Sequence, residues 1–170
     1  MAVLTFLPST VFSQGTESSQ VAEGEITPGL PRPMTLAIAK QIVTAAHKAA
    51  CTPPSNCMGA FAIVDDAGVL IYEESIDGVL PHVPELTILK ARTAAVWRRP
   101  TSYFQDSVKS GRNYAYIDGS FQDMTLATCG IPLFVKGRVV GGFGCGGSGP
   151  QYDPQIMEAA RAETARIMGK

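Results

Sequence analysis

Cys129-Gly-Ile-Pro-Leu-Phe-Val-Lys-Gly-Arg-Val-Val-Gly-Gly-Phe-Gly-Cys-Gly-Gly-Ser-Gly-Pro150 carries the architecture of this chain. Ile131 to Val135 and Val139 to Phe143 are apolar runs rich in β-formers, and Lys136-Gly137 between them includes a residue suited to positive φ, so the stretch predicts an antiparallel hairpin. With Lys136-Gly137-Arg138 as a three-residue turn, Cys129 falls opposite Cys145, close enough for a cross-strand disulfide; two buried free thiols are the alternative. Six of the nine residues from Gly141 to Gly149 are glycine. A turn needs fewer, so the backbone there bends sharply or is approached closely by a ligand, a helix or another subunit.

Working outward, Phe61-Ala-Ile-Val64 reads as a strand, Asp65-Asp-Ala-Gly68 as its turn and Val69 to Glu74 as its partner. Thr35 is placed to cap a helix whose stripe is Leu36, Ala39, Ile42, Val43, Ala46 and Ala50. Pro84-Glu85 opens a second helix that runs through Trp97 and stops at Pro100. Ser102-x-x-Gln105 reads as the capping box of a shorter one. Val108 to Met124 is rich in Gly, Asn, Tyr and Asp and predicts an irregular crossing, and Asp153-Pro154 places a cap and an N1 proline before the last helix. The order α, ββ, αα, ββ, α predicts an α+β fold in which the long helices cover one face of an antiparallel sheet.

The chain has 170 residues, 45% of them apolar, enough for one core, expected from residue 34 to 170. A formal net charge of −1 with no basic stripe argues against nucleic-acid binding. Val3 to Phe12 is an apolar run too short to span a bilayer. It reads as the latter part of an export signal whose start lies upstream, or as a plain arm. Gly24 to Pro33 holds three prolines and two glycines, so residues 1–33 are expected outside the core. The chain has four cysteines, an even number. Cys51 and Cys57 bracket Thr-Pro-Pro-Ser-Asn, where a disulfide would staple a helix end to a strand start. Neither Cys-x-x-Cys nor Cys-x-x-Cys-His occurs, which argues against a zinc ribbon, a thioredoxin-type site and covalent haem. The glycine run fits neither a dinucleotide turn nor a phosphate loop. A Gly-x-Ser-x-Gly elbow and a His-Glu-x-x-His helix are missing too, and the adjacent Glu73 and Glu74 point to opposite faces of a strand.

Ala62-Ile-Val-Asp-Asp-Ala-Gly-Val-Leu-Ile71, Ile76-Asp-Gly78, Lys90-Ala-Arg-Thr-Ala94, Gly130-Ile-Pro-Leu133, Gly137-Arg-Val-Val-Gly-Gly-Phe-Gly144 and Asp153 ahead of an alanine-rich helix resemble, in order and spacing, the GlcG/HbpS (DUF336) family from about Thr35 onward. The resemblance implies a profilin- or PAS-like antiparallel sheet of about five strands with flanking helices, assembly into dimers or larger homo-oligomers, and haem binding in some members. Two motifs depart from the family's pattern. Ser75-Ile-Asp-Gly-Val79 lacks the basic side chain of Arg-Met-Asp-Gly-Ala, and Gly144-Cys-Gly-Gly-Ser148 shifts the hydroxyl of Gly-Val-Ser-Gly-Gly.

This makes a noncatalytic, periplasmic or secreted small-ligand-binding protein the leading expectation, with noncovalent haem or a related flat cofactor as ligand. Haem needs an apolar slot, axial donors and cations for its propionates. His82, in the rigid loop Pro81-His-Val-Pro84, is the first candidate for the iron, and His47, bordering the buried stripe of the first helix, is the second. Tyr114, with Tyr116, Phe121 and Met124, offers apolar lining or a phenol oxygen, and Gly144, Gly146 and Gly147 offer bare main chain. Arg98, Arg99 and Arg112 are donors suited to carboxylates. Lys90, on a mostly apolar helix face, must snorkel, pair or lose its proton, with Asp65, Asp66 or Asp77 as the expected partner. The rival readings are an enzyme acting on a small carboxylate or aromatic catabolite, assembled from Lys90, His82, Asp77 and Glu85, and an accessory subunit docked on a periplasmic redox enzyme or sensor.

Overall fold

The computed structural model describes residues 33–52, 57–113 and 123–169. The expected export segment and arm, and the pocket candidates Tyr114, Tyr116 and Phe121, lie outside them. Helix α1 (Leu36–Ala50) starts where Thr35 caps it, its hydroxyl accepting from Ile38 N at 3.3 Å. Strands β1 (Ala60–Asp65) and β2 (Leu70–Ser75) follow. Their turn is held by Asp65, whose Oδ1 accepts from Ala67 N and Val69 N, while Gly68 supplies φ +84°. Helix α2 (Val83–Trp97) carries its proline in the first turn and ends at Arg98, which takes the left-handed conformation with φ 55°. Helix α3 (Thr101–Lys109) comes next. Its N-cap is Pro100, not Ser102: Thr101 Oγ1 instead accepts from Gly130 N at 2.9 Å, tying α3 to the sheet. Strands β3 (Gly130–Val135) and β4 (Arg138–Gly146) and helix α4 (Asp153–Met168) complete the domain.

The four strands among the described residues, one fewer than expected, form an antiparallel sheet in the order β2-β1-β4-β3. The β3–β4 turn is two residues long, Lys136 at φ 49° and Gly137 at φ 76°. It is therefore shorter than the three-residue turn read from the sequence, and a bulge between Leu133 and Phe134 restores the register that pairs Gly130 with Gly144. Cys129 and Cys145 are thereby opposite and disulfide-bonded, with Cα atoms 5.3 Å apart, and Cys51 is bonded to Cys57.

Helices cover both faces of the sheet, not one. Alternation along β1 explains why: Phe61 and Ile63 join the core under α1 and α4 with Phe143, Ile131 and Ile42, whereas Ala62 and Val64 meet Ala91 and Ala95 of α2 on the other side. All six β1 residues are buried, as a strand sandwiched between two helical layers requires. Each fully buried aromatic or branched aliphatic of the first core contributes about 1.5–3 kcal/mol relative to exposure.

Candidate functional site

The glycine run resolves into a seat for α2. A methyl group at Gly142 would run into the carbonyl oxygen of Ala91, and one at Gly144 into that of Thr87. At Gly146 it would meet Val83 Cγ1 at 3.2 Å. Helix positions four apart advance about 6 Å and strand positions two apart about 6.8 Å, so Val83, Thr87 and Ala91 keep step with Gly146, Gly144 and Gly142. Of the three occupants the sequence left open, ligand, helix or subunit, the helix takes Gly142 and Gly144. Gly147 differs: it is exposed, has φ +88° and would place a Cβ 3.3 Å from Gly59 Cα and 2.8 Å from Val79 Cγ2. It therefore lies on the surface at the end of β4, where the chain entering β1 and the loop before α2 converge.

His82 is exposed at the head of that helix, between exposed Leu80 and buried Val83. Leu80 leaves 62% of its surface in solvent and Met58, beside Gly59, 44%. Two hydrogen bonds hold this rim: Ile76 N donates to Gly59 O at 2.8 Å, and Ser148 Oγ donates to Met58 O. A Gly147 Cβ would also lie 3.5 Å from Cγ1 of Val83, the residue after His82.

Lys90 lies beneath the same end of the sheet. Only 7% exposed, it donates from Nζ to Cys145 O at 2.8 Å and comes within 3.2 Å of where a Gly146 Cβ would be. Burial pushes its pKa below the usual lysine value, partly offset by the nearby charge of Asp153. The same burial raises the Asp153 carboxyl, again partly offset by Lys90. Asp153 is thus the acidic group that acts on Lys90 through charge, where Asp65, Asp66 or Asp77 was expected, while the Lys90 hydrogen bond goes to Cys145 O. Asp153 is not the helix cap that Asp153-Pro154 predicts: Tyr152 is the cap residue, and no side-chain cap hydrogen bond forms at the start of α4.

His47 faces another neighbourhood. Its ring stacks on Phe61 with centroids 6.0 Å apart, and its Nδ1 lies 2.5 Å from Glu74 Oε1. Tyr72 donates to the other Glu74 oxygen at 2.8 Å. Glu74, on β2, was not expected as a partner, because nothing local in the sequence sets it against a helix 27 residues earlier. The sheet separates α1 from α2, so His47 and His82 do not converge on one ligand. At the far end of α2, Trp97, Val96 and Met124 line a groove of about 400 Å³. The one cation among its described lining residues, Arg92, donates to Gly68 O and Asp123. Of the other arginines, Arg99 stacks over Tyr103 at 4.5 Å and Arg98 ends α2.

A family model described as "Haem degrading protein HbpS-like" matches residues 34–162. The chain belongs to the HbpS-like family. Protein GlcG of Escherichia coli K12 is 31% identical over 90 residues, which cover 53% of this chain and 65% of GlcG, just under two thirds of that relative. Among solved structures, a double mutant of Streptomyces reticuli HbpS superposes with a TM-score of 0.64 at 28% identity, covering 79% of this HbpS-like chain and 86% of that one. A structure described as a PduOC:Heme complex superposes at 0.68 with 23% identity, over 76% of this chain and 94% of that one, a likeness of fold. The α+β architecture is therefore the family's own.

Proposed function

We propose that this HbpS-like chain is an exported, oligomeric binding protein that takes haem or a related flat cofactor on the surface around His82, Gly147, Val79 and Leu80. The carrying observation is the exposed imidazole of His82 in the loop that also brings Val79 against exposed Gly147 and leaves Leu80 in solvent, in a chain whose fold is shared by a structure solved in complex with haem. Imidazole is a common axial ligand to haem iron, exposed Gly147 leaves its main chain open to a planar ring, and exposed Leu80 supplies apolar contact. Haem, once held, supplies iron for redox or ligand chemistry; the chain's own residues bind and orient it. The disulfides agree with an oxidising compartment outside the cytoplasm.

Titration of the purified protein with hemin is expected to give a saturable Soret shift. His82→Ala is expected to alter the axial-ligand spectrum more than His47→Ala, because His82 is exposed at the head of α2 whereas His47 belongs to α1, on the opposite face of the sheet. No saturable shift sinks the haem reading, and equal spectra in the two variants remove His82 from the iron.

A further inference from the structure

His47, Cys51 and Cys57 place one potential ligand atom each within 4.8 Å of one another. His47 and Cys51 are one helical turn apart, and Cys51 N donates to His47 O at 3.0 Å, which keeps both on one face of the α1 terminus. A second and independent observation points to a metal. Glu74 occupies His47 Nδ1 at 2.5 Å and is itself held by Tyr72, leaving Nε2 as the ring's other donor. A carboxylate on one ring nitrogen and a metal on the other is the arrangement that fixes the tautomer and raises the basicity of zinc-binding histidines. We propose that reduction of the Cys51–Cys57 disulfide opens a Cys2His site for a thiophilic divalent cation such as zinc, with Glu74 as the residue that positions the imidazole.

The chemistry balances. A dithiol reductant passes two electrons and two protons to the disulfide, leaving two protein thiols and a disulfide in the reductant. The cation then takes two thiolates and neutral imidazole, two protons leave to solvent, and water fills the fourth position. Access favours this pair over the other one: Cys57 is exposed and Cys51 and His47 are half-exposed, whereas Cys129 and Cys145 are 2% and 0% exposed. Cys129, Cys145 and Asp153 also lie close together, but the Lys90 ammonium beside them opposes a cation. The first site also keeps its frame without the disulfide. Gln155 donates to Ala49 O and Thr52 O, both at 2.9 Å, fixing the end of α1. Ser148 and Ile76 hold the residues after Cys57 through Met58 O and Gly59 O.

The test uses the full chain, oxidised or reduced and freed of reductant under anaerobic conditions, titrated with zinc against a chromophoric chelator and with cobalt for its thiolate absorption. The reduced protein is expected to bind one equivalent with cobalt–thiolate bands, and the oxidised protein none. His47→Gln should weaken zinc by at least about tenfold and Glu74→Gln by about 10–100-fold. A Cys129→Ala, Cys145→Ala variant should bind as the parent does, and Cys57→Ser should abolish binding should His47→Gln not fold. Zinc binding that is equal in the two redox states, indifferent to both His47→Gln and Cys57→Ser, or lost in the Cys129→Ala, Cys145→Ala variant would overturn the proposal.

Discussion

At Gly144 the difference between a hydrogen and a methyl group sets the distance between a helix and a sheet. The Thr87 carbonyl occupies the space a Cβ would need, and both partners are main chain, so neither has a rotamer to change. Gly144→Ala is therefore expected to destabilise the protein by about 1–3 kcal/mol through overpacking, read as a lower urea midpoint. At exposed Gly137 nothing lies within 4 Å of an added Cβ, yet φ is +76°, so Gly137→Ala should cost less, about 1–2 kcal/mol of backbone strain. A Gly144→Ala protein as stable as the parent would remove the close-seat account. The demand for space at these glycines was visible in the sequence. Its occupant was not, because a gap in side-chain volume does not say which surface fills it.

At the level of elements, both hairpins and the helices read from periodicity and capping residues are present. The departures lie where a local signal competed with a distant one. Helix α3 begins at Thr101, which is bonded to Gly130, so Ser102 lies inside it, and Asp153 lies inside α4, buried where it acts on Lys90 through charge. The two disulfides differ as element ties. Cys129–Cys145 closes a separation of 16 residues and Cys51–Cys57 one of only 6. On loop entropy, removing the first should cost about 3 kcal/mol and the second about 2 kcal/mol. Paired alanine variants, compared by urea unfolding, check the order; a larger loss at Cys51 and Cys57 would contradict it.

For the whole molecule, Lys90 and Asp153 lose hydration on folding and act on each other through charge, so their ionisation enters global stability. Asp153 has a raised folded pKa: its contribution is full below the ordinary 3.8 and is lost as pH rises through the folded value. Lys90 is the reverse: its contribution is full above 10.5 and is lost as pH falls through the lowered folded value. Urea unfolding across the carboxylate range should show the parent losing stability relative to Asp153→Asn as pH rises; a rise instead would refute this account. The order of elements, the antiparallel pairing, the family and the facing cysteines follow from the chain alone, because turns, caps and periodicity act between near neighbours. The helices on both faces, α2 seated on glycine, Asp153 beside Lys90 and Glu74 on His47 required the folded molecule. Those contacts join residues far apart in the chain, and packing and desolvation act through space.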